Sequence, residues 1–292
     1  MLPRFFGSLH VRTMRCGKFS LKLDRPLIMG IVNLTPDSFS GDGVAANHEA
    51  ALRHAWHQIE AGADLLDLGA ESSRPGATPT SLADELDRLL PVLDGLRDCG
   101  VPLSVDTYKP EVMRAALAHG ADMVNDIFAL RMPGALEAVS TSECGICLMH
   151  MQGEPLTMQQ QPHYADVVAE VRSFLAGRVA IAVQAGVDAS RLLLDPGFGF
   201  GKTMEHNVNL FKAIPELAKE GLPLLAGVSR KSMLGLITGR PVEARLAASV
   251  ASALLAAQKG AGVIRVHDVA ETRDVLAIMQ ALAPPAVDPQ GI

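Results

Sequence analysis

Polar and ionisable side chains stand at the ends of apolar, strand-like segments throughout this chain. They are Asn33, Asp67, Asp106, Asn125, His150, Asp195, Ser229, Arg230, Lys231, Arg265 and His267. An unpaired charge is costly to bury, so the set is expected to face a site rather than a core. Any one of the carboxylates has a structural alternative, because Asp at a strand end also caps helices and binds loop amides. The set taken together favours a site.

Two of these residues suggest an anion site. Arg265 and His267 are separated by one residue, so they share a face of an extended segment. A permanent cation beside a second donor suits a phosphate or pyrophosphate group. The alternative is a surface arginine beside a core histidine.

The glycine-rich segment 195–203, which reads DPGFGFGKT, is similar to a phosphate-binding loop but departs from the rule. Pro196 stands where a P-loop needs its first glycine, and Lys202 stands where a dinucleotide-binding loop needs its third. We therefore interpret the glycines as allowing sharp turns beside Asp195 and Phe200.

The elements that must position these residues alternate regularly. Eight short apolar segments predict strands at 27–33, 64–69, 102–106, 122–126, 145–150, 191–195, 223–228 and 262–267. Segments rich in Ala, Leu and Glu predict helices at 48–61, 82–98, 110–119, 134–143, 165–185, 205–219, 242–259 and 270–282. Eight βα units in roughly 260 residues predict an α/β fold, a single (β/α)8 TIM barrel, with its chemistry at the carboxyl ends of the strands. A doubly wound open sheet is the competing architecture.

No linker divides the chain, so the sequence predicts one domain. We expect an N-terminal extension at 1–25, the barrel at 26–284 and a tail at 285–292. Met14 is an alternative start, so residues 1–13 are not assumed to be native.

Composition excludes several classes of protein. The 292 residues are 48% hydrophobic and 20% charged, which supports a globular core rather than disorder. A net charge of −6 without a basic block disfavours nucleic-acid and anionic-membrane partners. The most apolar predicted helix spans about a dozen residues, short of the roughly 20 that cross a membrane. Four cysteines do not make a disulfide framework in a chain of this length, so we expect a cytoplasmic protein.

Eight strings, in family order, resemble the dihydropteroate synthases of folate biosynthesis. They are MGIVNLTPDSFS, GAESSRPGA, SVDTYKP, VNDI, LMHMQG, LLLDPGFGFGK, GVSRKSMLG and RVHDV. They cover essentially the whole predicted barrel. The departures are small: Gly41-Asp42-Gly43 stands where the family commonly shows Asp-Gly-Gly, and Ser73 stands where many members carry threonine.

The resemblance implies a transferase and a sulfonamide target. It would condense 6-hydroxymethyl-7,8-dihydropterin pyrophosphate with p-aminobenzoate, by an SN1-like path with Mg2+, to give 7,8-dihydropteroate and pyrophosphate. The implied pterin ligands are Asp106, Asn125, Met149, Asp195, Phe200 and Lys231. The implied pyrophosphate ligands are Asn33, Arg265 and His267, with Asn33 also holding Mg2+. The implied p-aminobenzoate pocket is Phe39, Ser73, Arg74, Pro75 and Ser232.

The catalytic residues implied by the same resemblance are Asp106, Arg74 and Lys231, with Asp106 facing a cationic carbon. The resemblance also suggests a homodimer that uses helices near the C-terminus.

Three other functions are weighed against this one. A methyltetrahydrofolate methyltransferase would share the pterin ligands but need no pyrophosphate site, which Arg265 and His267 argue against. A non-catalytic pterin-binding paralogue should lack Asp106 or one of the two loops that follow the first two barrel strands, and all are present. A generic phosphate-binding aldolase has only Lys231 in its support.

Overall fold

The computed structural model of the protein describes residues 13–35, 44–72 and 76–282. Its strands are β1 (Thr13–Cys16), β2 (Phe19–Lys22), β3 (Leu27–Asn33), β4 (Leu65–Gly69), β5 (Leu103–Asp106), β6 (Met123–Asp126), β7 (Gly145–Met149), β8 (Leu192–Asp195), β9 (Leu225–Ala226) and β10 (Val263–Val266). Its α-helices are α1 (Val44–Glu60), α2 (Leu82–Leu96), α3 (Pro110–Ala118), α4 (Ala135–Ser140), α5 (Val167–Gln184), α6 (Met204–Lys212), α7 (Ile214–Leu217), α8 (Ser232–Thr238), α9 (Leu246–Gln258) and α10 (Val269–Ala281).

Strands β3 to β10 form a parallel barrel, as predicted. They pair in the order β8-β7-β6-β5-β4-β3-β10-β9. The ring closes between β8 and β9, where Leu194 bridges Leu224 and the Leu194 amide donates to the Pro223 carbonyl at 3.0 Å. The predicted (β/α)8 TIM barrel is confirmed, and the open sheet is excluded.

A hairpin that the sequence analysis did not predict precedes the barrel. Strands β1 and β2 pair antiparallel, and Met14 and Cys16 on β1 are fully shielded from solvent. They pack with Met29, Leu65 and other inward-facing residues near the amino ends of the barrel strands. The apolar barrel floor needs a cover, and alternate residues of β1 supply it. Residues 1–12 lie outside the described part of the chain.

Three helix predictions need correction. The predicted helix 205–219 is interrupted between α6 and α7, where Pro215 near the start of α7 has no amide hydrogen to continue the ladder. The predicted helix 242–259 begins as α-helix only at Leu246, after a 3-10 turn at Val242–Ala244. Helix α8 was missed, because its seven residues include a glycine and two β-branched side chains.

Apolar side chains remain exposed on the three C-terminal helices and just beyond them. Leu236 and Ile237 lie on α8, Leu255 lies on α9 and Ile278 lies on α10. Within the described ranges, no helix combines the length and apolar character needed to span a membrane.

Candidate active site

The carboxyl ends of the barrel strands bring the predicted polar residues to one mouth. Asp106 ends β5 and stands opposite Asn125 on β6. Asp195 ends β8 and stands opposite Met149 at the end of β7. Parallel pairing therefore sets the members of each pair side by side near the carboxyl ends of their strands. The second pair lies two residues further along, because Asn125 pairs with Cys147 rather than with Met149.

Arg265 on β10 is held between two carboxylates. Its Nε donates to Asp67 Oδ2 at 2.6 Å, and its Nη2 donates to Asp106 Oδ2 at 3.0 Å. Although burial opposes it, the two nearby carboxylates raise the pKa of Arg265 above its ordinary value. The guanidinium is therefore a permanent cation at the centre of the mouth.

Asp106 has an unusual protonation equilibrium. Burial raises the pKa of its carboxyl to about 7, against the opposing influence of Arg265, and the charge of Asp67 adds to the rise. Its side chain retains only 13% of its exposure. The Asp106 carboxyl, which lies inside the mouth, is therefore only partly ionised near neutral pH.

The side-chain amide of Asn125 has a partner for its nitrogen but none among the described residues for its oxygen. Its Nδ2 donates to Asp67 Oδ2 at 3.0 Å. Its Oδ1 is buried and has no hydrogen-bond partner among the described residues. A buried carbonyl of this kind is costly unless a donor reaches it, so this atom fits the N–H group of a ligand.

Asp195 and Lys231 form the second half of the mouth. Asp195 is buried, its Oδ1 accepts from the Gly197 amide at 2.7 Å, and burial raises its pKa although Lys231 counters this. Burial lowers the pKa of Lys231 to about 8. Its Nζ donates to the Phe198 carbonyl and lies 4.7 Å from the centre of the Phe200 ring.

Apolar side chains line the same region. Met149 is buried in a cluster with Ile127, Met151 and Met158, and Phe200 packs against it. A flat ring with hydrogen-bonding edges suits a pocket in which apolar walls stand beside Asp195 and Asn125.

The remaining predicted ligands lie at the rim. Asn33 ends β3 and is half-buried, and Ser232 is exposed at the start of α8. His267 follows β10, and its Nδ1 lies 3.0 Å from Ser229 Oγ. Phe39, Ser73, Arg74 and Pro75 lie outside the described residues.

Asp67 is one of the strand-end residues, but the sequence predicts no particular role for it. It lies two residues before the end of β4 and is fully buried, and its Oδ1 accepts from Ser104 Oγ at 2.6 Å. It therefore orients both Arg265 and Asn125 from below. The signal in the sequence was a carboxylate flanked by leucines in LLDLG.

A second group missed from the sequence surrounds Lys109, beside Asp106. Lys109 Nζ pairs with Glu71 and Glu85 and donates to the Thr80 carbonyl at 2.8 Å. Glu71 belongs to the loop after β4, whereas Lys109 belongs to the loop after β5. This buried ion pair therefore ties the stem of the second predicted substrate loop to the rest of the barrel.

The chain belongs to the pterin-binding enzyme family, whose pattern it matches over residues 29–267. It is 50% identical to a dihydropteroate synthase of Neisseria meningitidis serogroup C over 273 residues, which cover 92% of this chain and 96% of that one. The fold superposes on a Xanthomonas albilineans dihydropteroate synthase with 4-aminobenzoic acid at a TM-score of 0.88, with 53% identity and coverage of 94% and 99%. A Burkholderia cenocepacia dihydropteroate synthase complexed with 7,8-dihydropteroate superposes at a TM-score of 0.85. It is 51% identical to this chain, and the match covers 92% of this chain and 96% of that one.

These relatives place the chain among the dihydropteroate synthases of that family. It is a transferase, as the resemblance implied.

Proposed function

We propose that the barrel mouth joins 6-hydroxymethyl-7,8-dihydropterin pyrophosphate to p-aminobenzoate and releases 7,8-dihydropteroate and pyrophosphate. One observation carries the residue assignment: Asn125 Oδ1 is buried without a hydrogen-bond partner among the described residues, at the same mouth as Asp195, Lys231 and Arg265. Acceptors, cations and apolar walls there match the two unlike halves of the substrate. The 4-aminobenzoic acid and 7,8-dihydropteroate named with the solved relatives support the same substrates here.

The pterin half is held by its hydrogen-bonding edge. Asp195 accepts from the amino and ring N–H groups, and Asn125 Oδ1 accepts a further N–H. Lys231 donates to the ring carbonyl and the neighbouring ring nitrogen. The raised pKa of Asp195 is consistent with this role, because a buried carboxylate gains most from charge-assisted donors.

The pyrophosphate half is held by Arg265 and His267. Arg265 donates to both Asp67 and Asp106. An arriving pyrophosphate competes with Asp106 for the guanidinium, whereas the buried Asp67 keeps its Nε contact. When pyrophosphate binds Arg265, the Asp106 carboxylate loses this partner, and its negative charge can stabilise positive charge on the methylene carbon.

Bond cleavage precedes bond formation in this scheme. The carbon–oxygen bond breaks, and its electron pair leaves with pyrophosphate. The methylene cation is stabilised by the electron-rich ring and by Asp106. The arylamine nitrogen then forms the carbon–nitrogen bond and loses a proton, and no strong general base is required.

We propose Mg2+ as the cofactor, with Asn33 as its protein ligand. The described residues contain no group of three or more His, Cys, Asp or Glu side chains that would hold a metal by themselves. One amide oxygen beside a pyrophosphate site fits Mg2+, which keeps waters and takes phosphate oxygens. When bound, it would neutralise charge on the departing pyrophosphate.

We also propose a homodimer formed through the apolar surface of α8, α9 and α10. Leu236 and Ile237 expose 71% and 59% of their area, which is unusual for such large apolar side chains. Sedimentation velocity of the wild type and of Leu236→Glu tests this, because a dimer at this surface should dissociate in the variant.

All four cysteines are unpaired and buried, which supports a reducing cytoplasmic compartment.

An assay of dihydropteroate from the two substrates, with and without Mg2+, tests the function. Pyrophosphate release in single turnovers without p-aminobenzoate tests the order of steps. Cleavage that strictly requires p-aminobenzoate would replace the stepwise scheme with a concerted displacement.

A further inference from the structure

Lys202 is buried at the centre of the turn that follows β8, and no step above uses it. Its Nζ donates to the carbonyl oxygens of Gly197 at 2.9 Å, Phe200 at 3.0 Å and His150 at 3.3 Å. The same Nζ lies 2.9 Å from His150 Nδ1. Its partners are thus three carbonyl oxygens and an imidazole rather than a carboxylate.

The partners require Lys202 to supply the hydrogens. A carbonyl oxygen only accepts, and the three hydrogens of the ammonium are shared among these four partners, of which the His150 carbonyl at 3.3 Å is the most distant. Burial, reinforced by the charge of Lys202, lowers the pKa of His150 to about 3, so the imidazole is neutral at pH 7 and can accept. Burial lowers the pKa of Lys202 to about 7, and a cation is kept there at a cost.

The turn that Lys202 gathers is tightly constrained. Gly197, Gly199 and Gly201 have φ angles of 69°, 81° and 61°, a region that favours glycine. A Cβ at Gly197 would lie 1.9 Å from the His150 carbonyl oxygen, so the turn presses on the segment after β7. Lys202 binds carbonyls from both segments and holds them together.

The same turn carries two groups that fix Lys231. The Phe198 carbonyl accepts from Lys231 Nζ, and the Phe200 ring lies against that ammonium. Both phenylalanines lie between Gly197 and Lys202, in the segment whose Gly197 and Phe200 carbonyls accept from Lys202.

We propose that Lys202 is a positioning residue for the pterin pocket, acting through the 197–201 turn on Phe200 and Lys231. This inference rests on the proposed function, because it explains how the pterin-binding half of the proposed site is positioned. Lys202 itself does not touch the substrate. Its partners are backbone carbonyls and the His150 imidazole of its own chain.

The first test is Lys202→Met, which keeps the length of the side chain and removes its hydrogens. We expect the KM for the pterin pyrophosphate to rise about ten- to a hundredfold, the effect of losing charge-assisted hydrogen bonds. The KM for p-aminobenzoate and kcat at saturation should stay near wild type. Lys212→Met, at an exposed position on α6, is the matched control and should change neither constant.

A purely structural role gives a different pattern. Loss of folded enzyme lowers kcat and leaves both KM values unchanged, and that result would overturn the proposal. If Lys202→Met does not fold, Lys202→Gln, which keeps two donor hydrogens, replaces it, and the same split between KM and kcat is expected. An unchanged pterin KM in a folded variant also overturns the proposal.

A double-mutant cycle tests the route of the effect. Calorimetry with 7,8-dihydropteroate should show a smaller effect of Lys202→Met in a Phe200→Ala background than in the wild type. Fully additive losses would mean that Lys202 does not act through Phe200. Calorimetry also separates this inference from the proposed function, because an enzyme without turnover can still bind the ligand.

Discussion

Arg265 Nε donates to Asp67 Oδ2 at 2.6 Å, and Asp67 is completely shielded from solvent. The same oxygen accepts from Asn125 Nδ2 at 3.0 Å. One buried carboxylate therefore fixes a proposed pyrophosphate ligand and a proposed pterin ligand at the same time. If the proposed assignment holds, Asp67 aligns the ligands of both halves of the substrate.

Asp67→Asn should lower kcat/KM about ten- to a hundredfold, because Arg265 loses the charge-assisted bond that aims it. Steady-state kinetics measure the loss, and thermal melting checks that the variant is folded. Asp98→Asn, at an exposed position, is the control. Wild-type kinetics in a folded Asp67→Asn enzyme would show that Asp106 alone orients the guanidinium.

Asp195→Ala should weaken pterin binding at least about ten- to a hundredfold, because the pocket loses its proposed charged acceptor for the N–H edge. The loss of such hydrogen bonds costs about 1.5–3 kcal/mol or more. Calorimetry with 7,8-dihydropteroate measures it, and exposed Asp87→Ala serves as the control. Unchanged affinity would remove Asp195 from the site.

The pH profile of kcat/KM should be bell-shaped. Burial raises the pKa of Asp106 to about 7, so its carboxyl becomes neutral and loses its charge stabilisation as the pH falls below that value. Burial lowers the pKa of Lys231 to about 8 and that of Lys202 to about 7, so both cations are lost as the pH rises. Kinetics from pH 5 to pH 10 measure both limbs. Lys231→Arg should remove the contribution of Lys231 to the alkaline limb and leave that of Lys202, and a profile flat on the acid side would contradict the role of Asp106.

Lys109→Met should lower the free energy of unfolding by about 3–5 kcal/mol, because Glu71 and Glu85 would face each other without a cation. Urea unfolding measures the change. The penalty should shrink in acid, because burial raises the pKa of Glu85 and protonation of that carboxyl removes the repulsion. Exposed Lys219→Met should unfold like the wild type, and equal stability of the two variants would show that the cluster is not stabilising.

Met14→Ala should lower the free energy of unfolding by about 2–5 kcal/mol, the range for a buried large-to-small change. The KM values should not change, because the hairpin covers the amino end of the barrel and the site lies at the carboxyl end. Exposed Thr13→Ala is the control. A chain that starts at Met14 keeps the buried side chain and should fold and turn over normally.

The sequence by itself determined the barrel and the identity of most proposed site residues. Strand-length apolar runs and helix-length amphipathic runs are local patterns, and eight of each leave few ways to bury their apolar faces. The polar residues at the strand ends then had to converge, because parallel strands end at one rim. Asp106, Asn125, Asp195 and Arg265 can therefore be predicted from the sequence alone.

The tertiary structure alone decided which of these residues touch. Asp67 and Arg265 are 198 positions apart, and no local pattern encodes that pairing. The hairpin was missed for the same reason, since β1 and β2 are four residues each and are stabilised by the barrel floor that they cover. In the sequence, Lys202 belongs to a segment that only partly matches a phosphate-binding loop. The fold shows that its ammonium lies beside His150 instead. Hydrogen bonds and burial depend on neighbours brought together by closure of the barrel, so only the closed barrel reveals them.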